Sequence, residues 1–152
     1  MDQENCIFCK IVKGEIPSVK IWEDEEFLAI LDVKPNTEGM TLVLTKEHYD
    51  SDAFDMPDNV YKKFMIAAKK VAKILESGLN VKRAAMVIEG MEINHAHIKL
   101  YPLHGLDEKF REMIAKEQVY FEKYEGYITT REGPKKSIEE LNAVAEKIKG
   151  EK

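Results

Sequence analysis

Cysteine, tryptophan and histidine are scarce in this chain, at two, one and four residues among 152. Basic charge is also short: 23 Lys and Arg stand against 28 Asp and Glu, a formal net charge of -5. A general nucleic-acid binder needs a basic excess to displace counterions, so that class is excluded. A small anionic ligand is not, because a local pocket can oppose the global charge. No apolar run approaches the roughly 20 residues of a membrane span. Met1 to Gly14 holds no apolar run of signal-peptide kind. The expectation is a cytoplasmic protein with no membrane partner. Proline and glycine are few, at five and eight, and act as punctuation; there is no repeat and no low-complexity tract. What is present is a 44% hydrophobic content spread along the whole length. That excludes long disorder and suits one domain burying roughly two-thirds of its unfolded surface.

The pattern predicts short strands over 19–22 and 26–31 around the acidic turn Glu23-Asp24-Glu25. Lys34 to Gly39 is a loop, and 40–45 a further strand. Val60, Phe64, Ala67, Ala68, Val71 and Leu75 recur at helical spacing, with Asp55 or Asp58 as the start signal and Gly78 as the stop. Strands are expected at 84–88 and 95–101. Helical character is expected over 106–123, and a short strand over 127–130. Ser137-Ile138-Glu139-Glu140 has the form of a capping box, opening a last helix with Ile138, Leu141, Val144 and Ile148 inward. The whole reads as an α+β fold, an antiparallel sheet with packed helices.

The chemically informative stretch runs from Asn94 to His104 and holds three of the four histidines. As a strand it places His95, His97, Lys99 and Tyr101 on one face, roughly 6.6 Å apart, and Ala96, Ile98 and Leu100 on the core-facing side. Two imidazoles and an ammonium in a row suit an anion of phosphate size. A polar outer face of an edge strand is the plainer alternative. A neutral histidine is a competent nucleophile near neutral pH.

Cys6 and Cys9 are spaced Cys-x-x-Cys. In a reducing compartment a stable structural disulfide is not the default, which leaves metal binding or redox chemistry. Two further ligands would complete a tetrahedral zinc site, from His48, His95, His97 and His104. A redox role would need a thioredoxin-like strand and helix, which Lys10 to Pro17 does not clearly supply. His104, before Gly105, reads as a turn residue.

These residues resemble the histidine triad family of nucleotide hydrolases and transferases. The resemblance is carried by Cys6 to Pro17, Trp22-Glu23-Asp24, Leu28 to Val33 and Gly39 to His48, and it extends from Cys6 to about Pro102. Gly126 to Thr130 is a weaker echo. The family motif alternates histidine with apolar residues, and here it reads His95-Ala96-His97-Ile98-Lys99-Leu100-Tyr101, with lysine in the third histidine's place. The resemblance implies a histidine-triad core over 6–104 and a helical extension over 105–152 packed on the same domain.

It further implies that His97 attacks the α-phosphorus of a nucleoside phosphoramidate or dinucleoside polyphosphate, forming a nucleotidyl-histidine that water hydrolyses. His95 would support that strand, and Lys99 would stabilise phosphate charge. Asp32 would hold the ribose hydroxyls of a purine nucleotide, AMP- or GMP-like; its other reading is a turn residue. Ile21, Ile30 and Val33 would line the base pocket, and they read equally as core. Gly90 would let backbone approach phosphate. Met91 and Glu92 stand where many relatives carry Gln and Ser donors, so Glu92 is expected to face a leaving group or a partner chain. Zinc is implied at Cys6, Cys9, His48 and His95, and a homodimer is implied as in relatives. The rival readings are an inactive nucleotide-binding or regulatory protein and a zinc-stabilised interaction domain.

Overall fold

A computed structural model describes residues 3–106 and 117–150 of the chain. It divides into two compact units, Met1–Phe110 and Arg111–Lys152. The first carries a five-stranded antiparallel sheet, built from β1 (Lys20–Glu23), β2 (Phe27–Leu31), β3 (Thr41–Thr45), β4 (Ala84–Val87) and β5 (His97–Pro102) in the order β1-β2-β3-β5-β4. Its helices are α1 (Ile7–Val12) and α2 (Asp58–Gly78). The α+β expectation holds, with each predicted strand of this unit found to within two residues.

Local chemistry sets the turns. Asp24 closes the β1–β2 hairpin by accepting from the backbone N–H of Glu26 at 3.0 Å and of Phe27 at 2.8 Å. Gly39 must be glycine twice over: its φ is 79°, and a Cβ there would lie 2.3 Å from a Leu79 methyl. α2 begins at Asp58 with Pro57 as its N-cap and no side-chain cap, so neither Asp55 nor Asp58 caps the helix as expected. Gly78 is the last helical residue, and the left-handed turn beyond it belongs to Asn80, at φ 51°. Asparagine tolerates that region better than most residues.

Both faces of the sheet are buried, which alternation on β5 alone did not predict. On one face Phe27, Ala29, Val43, Ala96, Ile98 and Leu100 pack against Phe64, Ala67, Ala68, Val71 and Leu75 of α2. Phe27 and Phe64 stack with ring centroids 5.5 Å apart. On the other face Leu28, Ile30, Leu42 and Leu44 pack with Cys6, Phe8, Cys9 and Ile11 of the α1 region. Each large apolar side chain so buried contributes about 1.5–3 kcal/mol.

The second unit holds α3 (Ile138–Lys149). Its capping box is as predicted: Ser137 Oγ accepts from the Glu140 N–H at 3.2 Å, and the Ser137 N–H donates to the Glu140 carboxylate at 2.8 Å. Gly150, at φ 73°, ends the helix. The stripe Ile138, Leu141, Val144 and Ile148, expected inward, is exposed. Of the helix expected over 106–123, residues 107–116 lie outside the described residues, and 117–123 are irregular. No strand forms over 127–130. Among the described residues no helix is long and apolar enough to cross a membrane.

Candidate active site and metal centre

β5 opens at His97, one residue pair later than the expected strand start, and pairs His97 with Leu44 and Lys99 with Leu42. His97 therefore sits on the α1 face of the sheet. It is 4% exposed, with the edge of Phe8 packed on its ring at 5.2 Å. His97 Nδ1 lies 2.7 Å from the backbone carbonyl of His95. A carbonyl only accepts, so Nδ1 carries the proton and Nε2 keeps its lone pair. Burial, the largest influence, pushes the His97 pKa below the usual histidine value, helped by the Lys99 charge. The His95 carbonyl and the carboxylates of Glu89 and Glu92 pull it the other way. The net result is a neutral imidazole at pH 7 with one fixed tautomer.

His95 precedes the strand and is fully buried. Its Nε2–H donates to the Thr45 carbonyl at 2.8 Å, which turns the Nδ1 lone pair toward the cysteines. Cys6 Sγ and Cys9 Sγ lie 3.4 and 3.5 Å from that nitrogen, and His48 Nδ1 lies 3.2 Å from Cys9 Sγ. The four ligand atoms of Cys6, Cys9, His48 and His95 all fall within 4.8 Å of one another. Both cysteines are free thiols. Three residues apart at the start of α1, they present their sulfurs on one side. Burial and the neighbouring Cys6 push the Cys9 thiol up to about 11, and burial holds His95 down to about 4. A neutral imidazole lone pair beside two buried free thiols forms a donor set suited to a soft divalent ion. Of the four histidines considered as ligands, His97 and His104 take no part. His104 is exposed, with its Nε2–H on the Glu38 carbonyl at 2.9 Å, as a turn residue should be.

Asn94 ties the two histidine segments together. Its side-chain amide donates to Asp50 at 2.8 Å, and its oxygen accepts from the N–H and hydroxyl of Ser51 at 2.9 and 3.1 Å. Gly90 serves the same seam. Its φ is 72°, and a Cβ there would lie 2.6 Å from the Ser51 carbonyl, so the close neighbour that demands glycine is this loop.

Lys99 and Glu89 form a largely covered ion pair at 3.3 Å. The charges of Lys99, Glu89 and Asp32 all act on Tyr101, whose pKa is raised chiefly by burial. Asp32 Oδ1 accepts from the Lys34 N–H at 2.7 Å, the turn role anticipated as its alternative. Ile30 is buried beneath α1. Val33 is 90% exposed, so it forms no wall in this state, and Ile21 packs toward the α2 side of the sheet. The three predicted base-pocket residues are thus not brought together.

Three neighbours of the site escaped the sequence reading. Phe8 sits on His97; its spacing from Cys9 and Ile11 was the available signal. Glu89 reaches Lys99 because β4 and β5 pair with Val87 opposite Lys99, a register that sequence alone does not fix. Asn94 carried no distinguishing signal.

The HIT domain family model matches residues 13–105. The adenosine 5'-monophosphoramidase HNT1 of Saccharomyces cerevisiae is 39% identical over 105 residues, covering 68% of this chain and 65% of that one. Among solved structures, SMU.412c of Streptococcus mutans UA159 superimposes with a TM-score of 0.70 at 30% identity, over 99% of this chain and 87% of that one. A zinc-bound histidine triad family protein of Mycobacterium smegmatis does so at 0.62 and 31% identity, over 74% and 85%. With the motif, the sheet and the matched span in agreement, this chain belongs to the HIT, or histidine triad, family.

Proposed function

We propose that this protein is a nucleotide hydrolase or transferase working at the α-phosphate of a nucleoside phosphoramidate or dinucleoside polyphosphate, with His97 as nucleophile. The observation that carries the reading is the 2.7 Å hydrogen bond from His97 Nδ1–H to the His95 carbonyl, which leaves Nε2 as the free lone pair. In the first step Nε2 bonds to the α-phosphorus and the leaving group departs. In the second, water takes the nucleotide from His97. One difficult displacement becomes two easier ones. Lys99, next along the same face of β5, opposes the charge on the phosphoryl oxygens. Asp32 has one carboxylate oxygen on the Lys34 N–H, and its other oxygen suits a ribose hydroxyl. Ile30, Phe8 and Ile11, buried together, supply apolar surface for a purine.

Cys6, Cys9, His48 and His95 would hold zinc, a reading supported by their donor chemistry and by the zinc-bound relative. The ion would be structural, neutralising the two thiolates and crosslinking the start of α1, the segment after β3 and the approach to β5. The chain's own residues carry out the reaction.

The test is release of AMP from adenosine phosphoramidate by the native chain and by His97→Ala, with AMP binding followed by calorimetry. Turnover lost in the variant, with binding kept, supports the reading. AMP binding without turnover by the native chain would make it a nucleotide-binding protein instead. Neither turnover nor binding would overturn the nucleotide assignment.

A further inference from the structure

The metal cluster and His97 are joined by two short paths. Cys6 is the N-cap of α1 and Cys9 lies in its first turn. Phe8 stands between them on that turn, so it is held wherever the two sulfurs are held. Its ring is buried and meets both histidines: the ring centroids are 5.2 Å apart for His97, with the planes at 62°, and 5.7 Å apart for His95, at 83°. The second path is His95 itself. Its Nδ1 faces the sulfurs, and its carbonyl accepts from His97 Nδ1–H at 2.7 Å. α1 is six residues long and has no side-chain cap. A helix that short is unstable alone, and its order comes from what it packs on or binds. Without an ion, its first turn is tied to His48 and His95 by thiol–imidazole contacts of 3.2 to 3.5 Å, and a thiol is a weak donor. Metal–thiolate bonds at the same place would hold the turn far more firmly.

We propose that a metal ion at Cys6, Cys9, His48 and His95 orders the His97 ring, with Phe8 as the positioning residue that carries the effect. This rests on zinc at that site and on His97 as nucleophile. With both sulfurs fixed, the Phe8 edge closes on the His97 ring and leaves it one orientation. In that orientation Nδ1–H meets the His95 carbonyl and Nε2 keeps its lone pair. With the sulfurs free, the first turn of α1 frays and the Phe8 edge withdraws. The His97 ring then samples orientations and tautomers that do not offer Nε2. The ion stands outside the reaction, yet its presence sets how often the nucleophile is ready. Binding at the two sites is then linked, and each ligand tightens the other by the same factor.

The test follows the ring nitrogens of His97 by NMR in the full, nucleotide-free chain with isotope-labelled histidine, the signals being assigned by their absence from His97→Ala. The zinc-loaded chain is expected to show two sharp, well-separated signals, a protonated Nδ1 and a bare Nε2. A chelator should draw them together by at least about a third of their separation, and added zinc should restore them. Phe8→Leu keeps an apolar side chain in the buried site, so the chain folds even where Phe8→Ala does not. Phe8→Leu should still take up zinc, yet lose at least about half of the zinc response at His97. Zinc affinity, read by competition with a chromogenic chelator, should rise about tenfold when the native chain is saturated with AMP, and much less in Phe8→Leu. Zinc bound with no change at His97, or a full response in Phe8→Leu, would overturn the proposal while leaving the zinc site standing. No zinc bound by the native chain would overturn it together with the zinc reading. If AMP does not bind, the nucleotide reading fails separately, and the histidine signals decide this one.

Discussion

The two faces of the sheet are equally buried and built for different ends. Under α2 the face is mostly apolar, with Phe64, Val71 and Leu75 filling the spaces between Phe27, Val43 and Ile98, and Thr41 and Thr45 of β3 as its buried polar members. Under α1 the same sheet carries His97, with His95 just before β5, and meets two cysteines, and the polar groups there have partners: Thr45 and the cysteines for His95, the His95 carbonyl for His97, Glu89 for Lys99. The first face spends its burial on stability. The second uses burial to hold imidazoles neutral and aimed. Polar groups survive there because each one is satisfied.

The contrast can be broken from either side. The largest effect is expected from Phe64→Ala, which removes a fully buried ring stacked on Phe27 and should cost about 3–5 kcal/mol of unfolding free energy in denaturant titrations. The folded fraction should keep its turnover per molecule, because nothing on the His97 face touches that ring.

Next comes the α1 face stripped of metal. In the folded chain His95 stays neutral down to about 4. In the unfolded chain a histidine takes up a proton near ~6.5. Between those values the unfolded state binds more protons, so the stability carried by the neutral ring is complete above about 6.5 and is lost as pH falls toward 4. The loss should be on the order of 3 kcal/mol, read from denaturant midpoints of the chelator-treated chain across that range. The metal-loaded chain should hold its midpoint to lower pH, and Cys9→Ser should not.

A smaller effect is expected at Asp32. Asp32→Asn keeps an oxygen for the Lys34 N–H, so the turn survives. It should weaken AMP about tenfold while leaving 2',3'-dideoxy-AMP unchanged, as loss of a charged acceptor for hydroxyls predicts. Equal weakening of both ligands would return Asp32 to a turn role alone. The smallest effect belongs to the other unit, where Leu141→Ser on the exposed face of α3 should shift stability by under about 0.5 kcal/mol.

How much of this was legible in the sequence follows the range of each interaction. Period-two alternation placed β3 and β5 closely, and the Ser137 capping box, a contact between residues three apart, was readable outright. The four metal-ligand positions were named in advance because family resemblance, rather than spacing, chose His48 and His95 from four candidates. Long-range matters were not legible. Whether the histidine face of β5 met water or α1 depended on a helix about 90 positions away. Glu89 meets Lys99 only through the β4–β5 register. The apolar stripe of α3 has a helical period, but period says nothing of what covers it. That Ile21 packs on the α2 side follows from the register shift of β1 between Lys20 and Trp22, which the sequence pattern does not show.

The central claim is that the α1 face exists to present His97 Nε2 to phosphorus. The most direct measurement is to quench the native chain during turnover of adenosine phosphoramidate, digest it, and locate the nucleotidyl group by mass spectrometry. The account predicts an acid-labile AMP adduct on His97, absent from His97→Ala. An adduct on Lys99, or turnover with no adduct in a quench fast enough to catch one, would contradict it.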